Sequence, residues 1–455
     1  MHLLRTFSLL LVAQSLSLTT PSIAEERARP LDWPIERVTL DNGLRVVLAR
    51  DTTSPTVAVA VTYDVGSRNE EPGRSGFAHL FEHMMFQGSA NVPKGEHFKL
   101  VVSRGGTLNG TTSSDRTNYY QILPSSELAL ALWLEADRMK SLDVSVENFE
   151  NQRKVVQEEY RMRVANAAYV PARIRLSELA YEGYWPYSHP AIGSMKDLDE
   201  ARIEWVRSFH EAYYAPNLAV LTIAGDFDST EALDLVQRYF GPAKRQEMPI
   251  AFDPPAFAEP DGPRKDVVFD RHAKTPGFYY GWVVPKAREP EHYALQMAAR
   301  ILTDGESSRL HRLLVRDRAV ATEVRAGMGQ RRGPDLFTIF VKLTENANID
   351  EVRALVDAEL RALAEMGPTQ AEMRKAQSRT EAAYLFGLQS NLNRATRLGE
   401  YELFHGDARL LLEEPVRFAQ VSADDVREAV GKWLAMERRT LVEAHPVPKA
   451  AESED

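Results

Sequence analysis

The chain has 455 residues, 44% hydrophobic and 26% charged, the balance of an ordinary globular protein too long for one typical core. Its formal charge is −10 with no Lys/Arg run or basic aromatic face, which argues against a nucleic-acid partner. There is no cysteine, so disulfides, a thiol nucleophile and a lipidated cysteine are excluded.

In chain order, Met1 to Ala24 reads as a secretory signal, with Arg5 as the positive charge, Phe7 to Leu18 as the apolar core and Ser22-Ile23-Ala24 as a small-residue cleavage site. The apolar run is too short and too interrupted to span a membrane. The expected mature chain begins near Glu25 and is soluble, in a bacterial periplasm or secreted, with no membrane span. Val38 to Leu48 reads as a hairpin, because Asn42-Gly43 sits between alternating apolar residues. Val57 to Tyr63 follows as a buried strand, and the polar loop Gly66 to Gly76 leads into a helix.

That helix carries the chemistry. In His79-Leu80-Phe81-Glu82-His83 the two histidines stand at i and i+4, so both imidazoles project from one face and can grip one metal ion. The order H-x-x-E-H is the inverse of the zincin motif. Zinc takes imidazole and carboxylate ligands, and a catalytic site keeps one position open for water. Glu82, beside the histidines, is placed to take a proton from that water and pass it to a leaving amine.

A short amphipathic helix is expected after Pro93, then an exposed strand through Gly105 to Tyr120, whose open edge can pair with an extended peptide. Glu127 to Met139 reads as a helix with Trp133 in the core. In Phe149 to Tyr160 the apolar residues suit a helix packed on the first, and either Glu158 or Glu159 can complete a two-His, one-Glu ligand set. His189, between prolines in a loop, reads as structural. A strand at Leu218 to Ala224 and a helix to Tyr239 close the first domain, 25–241.

Pro242 to Pro263 is a Pro-dense linker. Beyond it, in 264–455, the order of elements repeats: strands at Lys265 to Asp270 and Gly277 to Val284, helices from Glu291, strands near Val320 to Met328 and Leu336 to Leu343, long helices at Ile349 to Met366 and Gln370 to Leu388, and a last strand from Arg439. No second H-x-x-E-H occurs.

His79 to His83, followed by Val155-Val156-Gln157-Glu158-Glu159, resembles the pitrilysin/insulinase family of zinc peptidases, in particular its short members related to mitochondrial processing peptidase. The resemblance covers nearly the whole mature chain. It implies an α+β fold of two homologous α/β domains, each a mainly antiparallel sheet covered by helices, with only the first carrying metal. It implies one Zn2+ per chain held by His79, His83 and Glu159, with Glu82 as general base. It also implies a peptide-holding strand at Asn109-Gly110-Thr111-Thr112, where Gly110 departs from the usual alanine. Gln152 stands where the family often has a glutamate behind the ligands, so the tuning there is by an uncharged amide. Larger members carry an Arg and a Tyr opposite the zinc; here the comparable segment has Arg316 but Thr322, which points to a partner chain, either a second copy or a metal-free homologue. The function expected is a zinc endopeptidase acting on peptides or unfolded segments. The alternative is a catalytically silent metal-binding subunit serving as a peptide-binding or assembly module. No G-x-S-x-G elbow supports a serine hydrolase.

Overall fold

The computed structural model describes residues 31–247 and 256–448; the signal segment and the middle of the linker lie outside them. The chain is α+β, with two mixed sheets. The first contains β1 (Glu36–Thr39), β2 (Arg45–Arg50), β3 (Thr56–Tyr63), β4 (Thr107–Thr112), β5 (Thr117–Pro124) and β6 (Ala219–Gly225), in the order β1-β2-β6-β3-β5-β4. The second contains β7 (Arg264–Asp270), β8 (Gly277–Val284), β9 (Ala321–Gly327), β10 (Asp335–Leu343) and β11 (Thr440–Pro446), in the order β7-β11-β8-β10-β9. In each sheet one pair is parallel, β2 with β6 and β7 with β11, and every other pair is antiparallel. Without β1 the two topologies are identical. The structure thus shows the repeat expected from the order of elements in the two halves.

The first half supplies helices α1 (Phe77–Met84), α2 (Glu96–Val102), α3 (Leu128–Ser141), α4 (Val146–Tyr160), α5 (Val170–Ala180), α6 (Trp185–Ser188), α7 (Met195–Glu200), α8 (Ile203–Tyr213) and α9 (Ser229–Phe240). The second supplies α10 (Pro290–Thr303), α11 (Ile349–Met366), α12 (Gln370–Gln389), α13 (Asn391–His405), α14 (Glu414–Ala419) and α15 (Ala423–Trp433). The hairpin expected at Asn42-Gly43 is present, with Gly43 in the left-handed region and Thr39 opposite Arg45. Trp185 to Ser188, just ahead of His189, forms the short α6.

The central strands are buried on both faces, so they do not read as an alternation of apolar and polar residues. Along β3, Val57, Val59 and Val61 enter the core of the first half, while Ala58 and Ala60 join the core of the second. The helix covering that second face is α13, which comes from beyond the linker. Its Gly399 lies so close that a Cβ there would stand 2.8 Å from Thr62 Oγ1 and 3.0 Å from Thr222 Oγ1. The exchange is reciprocal: α5, from the first half, lies on β8 and β11 of the second sheet, with Leu176 over Gly281. Small residues on the strands admit both helices at close range. Charged contacts fix the exchange, with Arg394 2.9 Å from Asp51 and Arg37 bidentate to Glu402 at 2.7 and 2.8 Å.

Candidate metal centre

The first turn of α1 is held by carboxylates. Buried Glu70 accepts from the backbone N–H groups of Gly76 (3.0 Å) and Ala78 (2.8 Å), and Asp197 accepts from the N–H (2.8 Å) and hydroxyl (2.5 Å) of Ser75. Negative charge at a helix N-terminus satisfies orphan donors and complements the dipole. Burial pushes the Glu70 carboxyl up, opposed by the hydrogen bond from His189. His189 itself is structural, its Nδ1 2.8 Å from Trp185 O and its Nε2 3.1 Å from Glu70. Gly76, at φ 89°, leaves no room for a side chain, because a Cβ there would stand 2.7 Å from the Ile192 carbonyl. The inner face of the helix packs into the core of the first half through Leu80, Phe81 and Met84, all buried.

The opposite face of α1 presents His79 and His83, and α4 crosses beside it. Glu159 Oε2 lies 3.2 Å from His83 Nε2 and 3.7 Å from His79 Nε2, and the three ligand atoms fall within 4.8 Å of one another. Glu158 is exposed and pairs with Arg161, so the geometry separates the two glutamates. Donors about 2.0–2.2 Å from a tetrahedral zinc stand roughly 3.3 Å apart, so these spacings and this donor set fit that ion. The hydrogen bond to His83 holds the Glu159 carboxyl below the usual range, and burial brings the His79 imidazole down to about 4; both shifts favour the ligating forms. Gln152 is buried on α4, but His79 Nδ1 has no hydrogen-bond partner among the described residues, so Gln152 does not orient that ring.

Glu82 is not one of the converging donors. Its Oε2 accepts a 2.5 Å hydrogen bond from the Thr112 hydroxyl on β4, and burial pushes its carboxyl up against that pull. Gly110 packs beneath it: a Cβ there would stand 3.0 Å from Glu82 Cγ and 3.2 Å from Tyr119 Cδ1. Gly110 and Thr112 share one face of the strand by period-two alternation, and it is the role of Thr112 that sequence reasoning misses.

β4 is the open edge of its sheet. Ser113 N–H donates to Arg116 O across the turn, so alternation along the ladder directs the main chain of Asn109 and Thr111 to β5. Leu108, Gly110 and Thr112 therefore turn their main-chain groups outward. Consistent with this, Gly110 N–H donates to the Asn109 side-chain oxygen at 2.9 Å instead of to β5. Asn109 is exposed at this edge. The Thr111 hydroxyl is engaged, donating to Asn118 Oδ1 (2.6 Å) and accepting from Arg116 Nη1 (2.7 Å).

Comparison with known proteins follows the same outline. The family described as insulinase (peptidase family M16) matches residues 45–182, and the peptidase M16 inactive domain matches 202–380. The zinc protease PqqE of Helicobacter pylori is 30% identical over 414 residues, covering 90% of this chain and 93% of that protein. A crystal structure of a protease from Helicobacter pylori superposes with a TM-score of 0.87 at 29% identity, covering 91% of this chain and 100% of that one. The probable mitochondrial-processing peptidase subunit beta of Schizosaccharomyces pombe is 23% identical over 410 residues, 88% of each chain. The chain belongs to the insulinase family of peptidases, M16, in its short two-domain form.

Proposed function

We propose that this chain is a zinc-dependent endopeptidase acting on peptides or unfolded segments. The observation that carries the reading is the convergence of His79, His83 and Glu159 beside a carboxylate, Glu82, that is outside the donor set and held by Thr112. Zinc bound there supplies Lewis-acid polarisation of a scissile carbonyl and acidifies water. Glu82 takes a proton from the attacking water and hands it to the leaving amine. The outward main-chain groups of Leu108 and Thr112 and the Gly110 carbonyl align an extended peptide by strand addition, and Asn109 contributes its side-chain NH2 beside them. The relatives' name, zinc protease, supports the class of activity.

The same reading makes 25–241 the metal-bearing domain and 264–455 a metal-free homologue, in keeping with the inactive-domain match over part of the second half. Arg316 and Thr322 are exposed, and no tyrosine accompanies that arginine, so a partner chain completes the substrate chamber; mass photometry giving a fully active monomer would sink this. No helix among the described residues is long and apolar enough to cross a membrane. With export directed by residues 1–24, the chain works in the periplasm or outside the cell, and an N-terminus at Glu25 in the exported protein checks it.

The deciding experiment is digestion of a mixed peptide pool by the mature chain, alongside Glu82→Gln, with zinc quantified in both. Cleavage by the wild type, lost at least about a hundredfold in a zinc-loaded variant, supports the reading. Zinc in both with cleavage by neither supports instead a silent metal-binding subunit, or one half of an enzyme that needs its partner chain.

A further inference from the structure

The turn Ser113–Arg116, between the edge strand and β5, is gripped from the other half of the chain. Arg116 Nε donates to Glu400 Oε1 on α13 at 2.7 Å, while its Nη1 donates to the carbonyl (3.0 Å) and hydroxyl (2.7 Å) of Thr111. One residue before it, buried Asp115 accepts from the backbone N–H of Arg332 at 3.2 Å and from the Tyr187 hydroxyl at 2.9 Å. Tyr187 in turn accepts from Gly333 N–H at 2.9 Å. The Thr111 carbonyl belongs to the peptide plane that precedes Thr112, and Thr112 holds Glu82.

From this juxtaposition we infer that Arg116 is a positioning residue, and that Glu400 on the exchanged helix α13 is its anchor. Arg116 fixes the 111–112 peptide plane, which aims the Thr112 hydroxyl at Glu82 and keeps the edge strand in register. The guanidinium is planar, and its Nε and Nη1 are used in different directions, one toward each half. Lysine cannot reproduce this. The second half thereby sets the geometry of the first half's chemistry. Asp115 pins the turn laterally; Arg116 sets its orientation.

The inference rests on the peptidase reading for its kinetic consequence, but its structural core is testable without activity. Glu400→Ala and Arg116→Lys are compared with wild type by hydrogen exchange over residues 107–117 and by peptide cleavage, with zinc content and melting temperature as controls. Exchange at the Asn109 and Thr111 amides, which face β5, should quicken about tenfold in both variants. In cleavage kcat should fall about tenfold with KM changed less than about twofold, since displacement of Glu82 acts on the chemical step. Glu400→Gln keeps an oxygen for Arg116 Nε and should recover most of both losses. Unchanged exchange in folded Glu400→Ala and Arg116→Lys overturns the inference, whatever the activity. If wild type cleaves nothing, the chain alone is not the working peptidase, while quickened exchange in the variants still establishes the positioning role.

Discussion

Replacing Gly110 by alanine sets two expectations against each other. The family's usual residue there is alanine, and relief of glycine's backbone entropy favours the change by about 0.5–1 kcal/mol. Gly110 has a negative φ, so no backbone strain opposes it. Geometry opposes it: the new Cβ would stand 3.0 Å from Glu82 Cγ, where ordinary contact begins at 3.4 Å. Glu82 cannot swing freely, because Thr112 holds its carboxylate, and Tyr119 blocks retreat on the other side, itself fully buried. The shortfall is about 0.4 Å; at roughly a hundredfold per ångström of misplacement it corresponds to a loss of about sixfold in kcat, or about 1 kcal/mol. Steady-state cleavage of a fluorogenic peptide, with a melting curve on the same samples, reads both effects. Gly110→Ala should melt no lower than wild type and turn over about sixfold more slowly. Turnover at or above wild type would show slack around Glu82 and refute the argument.

Other perturbations probe the centre and its support. His79→Ala and Glu159→Gln should each lose bound zinc, from one ion per chain toward none on dialysis, by elemental analysis, whereas Glu158→Gln should retain it. Gly399→Leu on α13 should destabilise by up to about 2 kcal/mol in urea unfolding, because overpacking of about 1–3 kcal/mol against Thr62 and Thr222 outweighs the roughly 1 kcal/mol gain in helix propensity. Burial brings His210 down to about 4, so the unfolded chain takes up its proton near pH 6.5 while the folded one does not. Stability from this group is therefore full above pH 6.5 and lost as pH falls toward 4, by up to about 3 kcal/mol. His210→Phe, which keeps the stacking on Phe81 and Tyr214, should flatten the acid limb of melting temperature against pH.

The elements that the sequence made legible are those whose pattern is local. The Asn42-Gly43 hairpin, the strand Val57 to Tyr63, the helix of His79 and His83 and the long helices from Ile349 and Gln370 all occur where expected. Among those without such a signal are α5 and α13, the exchanged helices. Their buried faces lack a plain apolar stripe: α5 sets Leu176 between Ala172 and Ala180, and α13 mixes Arg394, Gly399 and Glu402 with Leu398 and Leu403. Such faces match a partner from the other half, and their reason is tertiary. The same holds at the site. The motif gives His79, Glu82 and His83, but adjacent residues on a helix point about 100° apart, so only the packing of α4 against α1 decides between Glu158 and Glu159. Thr112 and Gly110 carry a weak signal, the shared face of an alternating strand. Arg116 carries none, since its partner Glu400 lies far along the chain.

The reciprocal placement of α5 and α13 has a bearing on the linker. A chain cut between 248 and 255 would still be two pieces each wearing a helix of the other, and neither could leave without baring an apolar sheet face to water. Covalent continuity is then a convenience of synthesis, and a nicked protein would run as one particle until denatured.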